Sequence, residues 1–256
     1  MALLRVEGLT HHFGGLCALS DFSLDINESE LVGIIGPNGA GKTTAFNLIT
    51  GVYKPNQGRI TFSGTDITMK HPHERTALGM ARTFQNIRLF KELSVFDNIR
   101  TACFSDSHYT PFEAFFHCGR YRAEEARIAE RVWDLLQIFK LQAYSGVAAK
   151  NLPYGSQRRL EIARALATRP KLLLLDEPAA GMNPNEIEQL MVFIKWVKEK
   201  FNLTIILIEH QMRLVMGLCE RLAVLDFGVT IAKGKPHEIQ CDPKVIAAYL
   251  GEDIPA

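Results

Sequence analysis

The chain has 256 residues, of which 47% are hydrophobic and 22% charged, and its 29 Lys and Arg stand against 28 Asp and Glu for a formal net charge of +1. These proportions are those of a globular protein and exclude a disordered chain, which needs low hydrophobicity and high net charge. A near-neutral chain carries no overall basic field for nucleic acid or anionic lipid, and no apolar run approaches the roughly 18 residues of a membrane span.

Met1-Ala2-Leu3-Leu4-Arg5-Val6-Glu7 meets charge too early for a signal peptide, so the chain is expected to stay in the cytoplasm. Residues 4–9, 17–26 and 59–62 are short apolar or alternating runs between turn signals and read as strands. Residues 30–35 form a continuous apolar strand of the buried parallel type. That strand runs straight into Gly36-Pro37-Asn38-Gly39-Ala40-Gly41-Lys42-Thr43, with Thr44 beside it and a helix expected to follow. The segment matches G-x-x-x-x-G-K-[ST]. Its glycines let backbone N–H groups converge on phosphate oxygens at a helix N-terminus. Lys42 reaches the β- and γ-phosphates of ATP, and the Thr43 hydroxyl ligates Mg²⁺.

From about residue 95 to 144 the pattern is helical and rich in aromatics. Ile128, Val132, Leu135, Leu136 and Phe139 keep helical spacing within residues 124–141, while 105–120 carry mixed signals of loop or short helix. This stretch reads as a helical subdomain, about 90–165, inserted into a domain spanning 1–240. Strands are then expected at 171–176, 204–209 and 221–226, with helices at 185–200 and 212–219 between them. Such alternation implies a mainly parallel sheet with covering helices. A short helical tail, 241–256, ends the chain. Five scattered cysteines lack C-x-x-C spacing, so no zinc site or disulfide framework is expected, and buried thiols are the expectation.

Leu172-Leu173-Leu174-Leu175-Asp176-Glu177 supplies the carboxylates that the phosphate loop requires. At the C-terminal end of a parallel strand, Asp176 is expected to face the same crevice and hold Mg²⁺ through water. Glu177 is placed to polarise an attacking water.

With these residues in place, the whole chain resembles the ABC-type ATPases: P-loop NTPases with a mainly parallel α/β core sheet, an antiparallel β subdomain and an inserted helical subdomain. The resemblance implies that Phe13 stacks on adenine. Gln85, in Arg82-Thr83-Phe84-Gln85, matches the glutamine loop, whose amide touches Mg²⁺ and the attacking water. His210, ending Ile206-Leu207-Ile208-Glu209-His210, matches the switch histidine, which bonds the γ-phosphate and orients the water and Glu177. The segment from Leu152 to Leu166 is similar to the signature loop and helix, which caps ATP on a partner subunit. Its usual Leu-Ser-Gly-Gly-Gln core reads Leu152-Pro153-Tyr154-Gly155-Ser156 here. Pro153 offers neither hydroxyl nor N–H. Gly155 is kept, and the Ser156 hydroxyl is a partial substitute. Asn183 stands where the family usually has Asp. These departures suggest one half of a heterodimer whose signature serves the less active of two composite sites.

The single ATPase unit, the Tyr-Gly signature, Glu177-Pro178-Ala179-Ala180-Gly181 and the tail from Val245 to Glu252 are similar to the branched-chain amino-acid importers. Two transmembrane permeases, a periplasmic binding protein reached through them and a second ATPase subunit are the partners implied, with the chain on the cytoplasmic face of a bacterial inner membrane. Phe84, Phe90, Phe96, Phe104, Phe112, Phe115 and Phe116 either form a groove for a permease helix or pack inside the subdomain. ATPases of urea or amide importers and of lipopolysaccharide-type exporters are the alternatives. A head acting on DNA is disfavoured because 42 to 152 holds no sustained heptads, and one acting on ribosomes because the chain carries a single ATPase unit and no basic linker.

Overall fold

β1 (Ala2–Phe13) and β2 (Leu16–Asn27) pair antiparallel across a tight Gly14-Gly15 turn. Each runs 12 residues, longer than the alternation alone suggests, because register shifts let both strands continue past breaks in the hydrophobic pattern. β3 (Leu31–Ile35) is buried at every residue and leads to α1 (Lys42–Ile49). β4 (Gln57–Phe62) and β5 (Thr65–Asp66) complete an antiparallel sheet of order β2-β1-β4-β5. α2 (Pro72–Ala77) and β6 (Met80–Arg82) follow.

Next come α3 (Val95–Cys103), α4 (Pro111–Phe116), α5 (Tyr121–Ile138) and α6 (Tyr154–Leu166). The remainder is β7 (Leu172–Asp176), α7 (Pro184–Phe201), β8 (Thr204–Ile208), α8 (Met212–Leu218), β9 (Arg221–Asp226), β10 (Val229–Gly234), α9 (Pro236–Gln240) and α10 (Pro243–Leu250). This computed structural model describes residues 2–104 and 109–250, so Ser105 to His108 and Gly251 and Glu252 of the tail motif lie outside the described residues. The chain divides into two units. One takes the chain up to Gln85 and from Lys171 on; the other is Asn86–Pro170.

In the first unit a six-stranded sheet has the order β10-β9-β3-β8-β7-β6. Every neighbouring pair is parallel except β9–β10. Placing β3 at the centre sets the phosphate loop beside the C-terminal ends of β8 and β9. α1 ties the two sheets into one core. Its Phe46, Leu48 and Ile49 join Ile60 and Phe62 of the antiparallel sheet and Leu174, Ile206 and Leu225 of the parallel one in one buried cluster. Three edge strands, β5, β6 and β10, escape the sequence reading. β6 is only three residues long, and β10 is a half-exposed edge strand with no clean alternation. Among the described residues no helix is long and apolar enough to cross a membrane.

Arg75 of α2 holds the carboxyl end of α1. Its guanidinium is buried and donates to the carbonyls of Leu48 and Ile49 at 2.7 Å, Thr68 at 2.9 Å and Lys70 at 3.0 Å. A cation at a helix C-terminus is favourable, and here it also satisfies carbonyls the helix cannot. Burial pushes its pKa down to about 10, which leaves it charged at neutral pH. Arg75→Met is therefore expected to lower the unfolding free energy by about 3 kcal/mol, by leaving these carbonyls without donors, as read in a urea melt.

The helical unit has its own core. Val95, Ile99 and Cys103 of α3 are buried, as are Ile128, Val132, Leu135 and Leu136 of α5 and Leu160, Ile162, Ala163 and Leu166 of α6. Arg158 and Glu161, both 2% exposed, form an ion pair at 2.8 Å on α6. α4 starts from a capping box between Thr110 and Glu113, which resolves the mixed signal there in favour of a short helix. The aromatics divide between both expectations. Phe90, Phe104, Phe112, Phe115 and Phe116 are exposed, whereas Phe96 lies against Trp133. The cysteines divide too: Cys103 and Cys219 are buried, but Cys17, Cys118 and Cys241 are exposed.

Candidate active site

β3 delivers the chain into a loop that only glycine can form. At Gly36 a Cβ would lie 2.1 Å from the Leu225 carbonyl oxygen, and at Gly41 (φ 98°) 2.8 Å from that of Ala18. The first turn of α1 has no side-chain cap, so its N–H groups are left for an anion. Lys42 folds back over the loop, and its Nζ donates to the Gly36 and Pro37 carbonyls at 2.7 Å each. Burial pushes its pKa down, while the charges of Glu177 and Asp176 pull it up.

β7 ends in Asp176, whose Oδ2 accepts a hydrogen bond from Arg82 at 2.6 Å; both side chains are 8% exposed. Arg82 also donates to Asn47 Oδ1 at 2.7 Å and Thr50 Oγ1 at 3.3 Å, and lies over the rings of Phe46 and Phe84. One guanidinium thus joins β6, the phosphate-loop helix and the acid at the end of β7.

Glu177 sits at φ 43°, a left-handed conformation that costs a non-glycine residue about 1–3 kcal/mol and is typical of functional sites. Its N–H donates to the Ile208 carbonyl at 2.9 Å. Its Oε2 accepts from Gln85 Nε2 at 2.7 Å and lies 3.6 Å from His210 Nδ1.

A cavity of about 1080 Å³ is lined by the loop from Gly36 to Thr44 together with Gln85, Glu177 and His210. Asp176 is not on this lining and is buried behind it against Arg82. Phe13 also stands outside the lining. Its half-exposed ring is edge-on to His11 at 4.7 Å and Tyr53 at 5.3 Å. Leu16, Cys17, Ala18, Phe227 and Tyr249 complete the wall, and the sequence reading gives none of them a role in the site. The volume, the N–H groups and the lysine suit a nucleoside polyphosphate.

A family model described as ABC transporter matches residues 19–180. The chain belongs to the ABC transporter ATP-binding family. A second model, described as branched-chain amino acid ATP-binding cassette transporter, matches residues 229–254. The chain is 43% identical over 250 residues to the high-affinity branched-chain amino acid transport ATP-binding protein LivG of Salmonella typhimurium, covering 98% of each. It is 42% identical over 250 residues to BraF of Pseudomonas aeruginosa, a protein of the same description, again covering 98% of each. Among solved structures, the ADP conformation of the cassette MJ1267 is similar with TM-score 0.85 at 34% identity, covering 98% of this chain and all of that one. A nucleotide-free cassette from an ABC transporter gives TM-score 0.84 at 34% identity over 98% of this chain. As an ABC ATPase the chain binds nucleotide and hydrolyses ATP.

The signature segment lies in the helical unit. Leu152 and Ser156 are buried, Tyr154 and Gly155 are exposed, and Pro153 is the N-cap of α6. Ser156 is only 6% exposed, so Tyr154 and Gly155 are the more open part of the segment. Asn183 caps α7 by accepting from the N–H groups of Asn185 and Glu186 at 3.0 Å each, a role that needs no charge. Tyr249 of α10 lines the same cavity as the phosphate loop. No local pattern announces that placement.

Proposed function

We propose that the chain is one ATPase subunit of an importer for branched-chain or related hydrophobic amino acids. The observation that carries this is the full-length similarity to LivG and BraF, whose names state that transport. On this reading the chain sits on the cytoplasmic face of the membrane. It is held by two permease subunits and pairs with a second ATPase subunit, and a periplasmic binding protein presents the solute.

Lys42 and the loop N–H groups bind the β- and γ-phosphates. Thr43 and Gln85 on the cavity wall offer a hydroxyl and an amide oxygen, and Asp176, buried behind the wall, would act on Mg²⁺ through water, a hard-oxygen set that fits the ion. The ion neutralises phosphate charge when bound. Glu177 takes the proton of the attacking water, and His210 orients that water and the γ-phosphate. The signature from Leu152 to Ser156 acts on the ATP of the partner subunit, and Phe13 stacks on adenine.

Arg82→Ala frees Asp176 from its anchor. It is expected to raise the Mg²⁺ concentration for half-maximal nucleotide binding about tenfold, while binding at saturating Mg²⁺ persists. Titration of a fluorescent nucleotide against Mg²⁺ checks this. The asymmetry of the pair is tested by Glu177→Gln here and the equivalent change in the second subunit. A larger loss from the change here is expected, and equal losses refute it. For the solute, the complex is reconstituted in lipid with binding proteins loaded with leucine, isoleucine, valine or urea. Stimulation of ATPase by the branched-chain forms is expected, and stimulation by urea alone refutes the reading.

A further inference from the structure

Glu209 is a fully buried carboxylate to which the mechanism assigns no step. Its Oε1 accepts the Ala179 N–H at 2.8 Å, and its Oε2 accepts the N–H groups of His210 at 3.1 Å and Gln211 at 3.3 Å. Among the described residues no lysine or arginine pairs with it, and His210 Nδ1 lies 4.0 Å from Oε2. An ion without a counter-ion is costly to bury, and burial pushes its pKa up against the three N–H donors. A fold that needed only an apolar strand end would not place a carboxylate there. The donors come from two loops, one just beyond Glu177 and one carrying His210. The Glu177 N–H already reaches the Ile208 carbonyl, so the two loops are tied by a backbone bond and, one layer on, by the Glu209 side chain.

We infer that Glu209 is a positioning residue that holds the His210 loop against the loop beyond Glu177 and so fixes the His210–Glu177 geometry for hydrolysis. The inference rests on the proposed roles of Glu177 and His210. It adds a residue that touches neither water nor phosphate and acts through both loops. Gln cannot replace it. One oxygen would still accept from Ala179, but the amide NH₂ would face the His210 and Gln211 N–H groups, donor against donor.

Glu209→Gln is expected to lower kcat about 100-fold, as for a misplacement of about an ångström, while KM for ATP stays within about threefold. Glu209→Gln/His210→Ala is expected to turn over no more slowly than His210→Ala alone, because both remove the same arrangement. A second variant guards against a folding defect. Gln211→Pro removes one donor at φ −78°, which proline accepts, and is expected to give a smaller loss in kcat. Folding is checked by the thermal shift that ADP produces. Losses that multiply in the double variant, a KM rise with kcat intact, or normal turnover in folded Gln211→Pro would overturn the inference. Normal turnover in His210→Ala would bring down the catalytic reading and the inference with it; normal turnover in the Glu209 and Gln211 variants alone brings down only the inference.

Discussion

Glu177→Gln is expected to lower ATP turnover about 10²- to 10⁴-fold while leaving nucleotide bound, the range removed with a general base. The amide keeps the size of the side chain and can still accept from Gln85 Nε2, so the contact at 2.7 Å survives. The left-handed backbone at φ 43° and the bond to Ile208 belong to the main chain and do not change. What is lost is the negative charge 3.6 Å from His210 and the site that takes the water's proton. Lys42 loses one of the two carboxylates that favour its charged form but keeps Asp176, so phosphate binding should persist. The variant should therefore hold ATP and favour the closed dimer, because the ligand that stabilises closure is no longer consumed. Steady-state ATPase, nucleotide retention and dimer mass measured together check this. Undiminished turnover would remove Glu177 from its role.

Much of this site was legible because its chemistry is local in sequence. Gly36 to Thr43 is one loop, and Asp176 and Glu177 are adjacent. Gln85, His210, Phe13 and the signature segment needed the family resemblance to be connected with it. The parts that escaped are those made by tertiary placement. Glu209 is a neighbour of His210 in sequence, yet its meaning lies in the Ala179 N–H, supplied by another strand's loop. In the sequence Arg82 is only the first residue of the segment matched to the glutamine loop, until the sheet order sets β6 beside β7 and aims it at Asp176. Among the described residues Arg75 has no carboxylate ion-pair partner to suggest it, because its partners are backbone carbonyls, two of them at the end of α1. Tyr249 comes to the wall of the phosphate-loop cavity from far along the chain, and hydrophobic periodicity carries no information about such a placement.

Arg82, Glu177 and Glu209 also show how stability and function divide in this unit. The buried cluster around α1 holds the two sheets together without any of these polar groups. The polar ties lie instead at the C-terminal ends of β6, β7 and β8, where the loops of the site begin. Substitutions at these ties should therefore alter turnover or metal dependence more than unfolding midpoints. Arg75, at the far end of α1, should do the reverse.

Lys42→Met should separate these properties most sharply. Lys42 is 6% exposed, and burial disfavours its charge, so the folded chain does not depend on that ammonium for stability. Methionine keeps an unbranched stem of similar length and removes the buried charge. The Pro37 carbonyl keeps the Ala40 N–H at 3.2 Å, and the Gly36 carbonyl borders an open cavity where water can replace the lost donor. The unfolding midpoint without nucleotide should therefore stay the same or rise. With nucleotide the outcome reverses. Charge-assisted hydrogen bonds to phosphate are worth about 1.5–3 kcal/mol each, so losing the lysine should weaken ATP binding about 100-fold. Nucleotide at 100 times the wild-type Kd stabilises the wild-type protein by about 2.7 kcal/mol and should stabilise the variant by only about 0.4 kcal/mol. Thermal melts with and without ATP check both halves. A melt that falls without nucleotide would show that Lys42 holds the loop together. A full ATP-dependent shift in the variant would show that the loop binds phosphate without it.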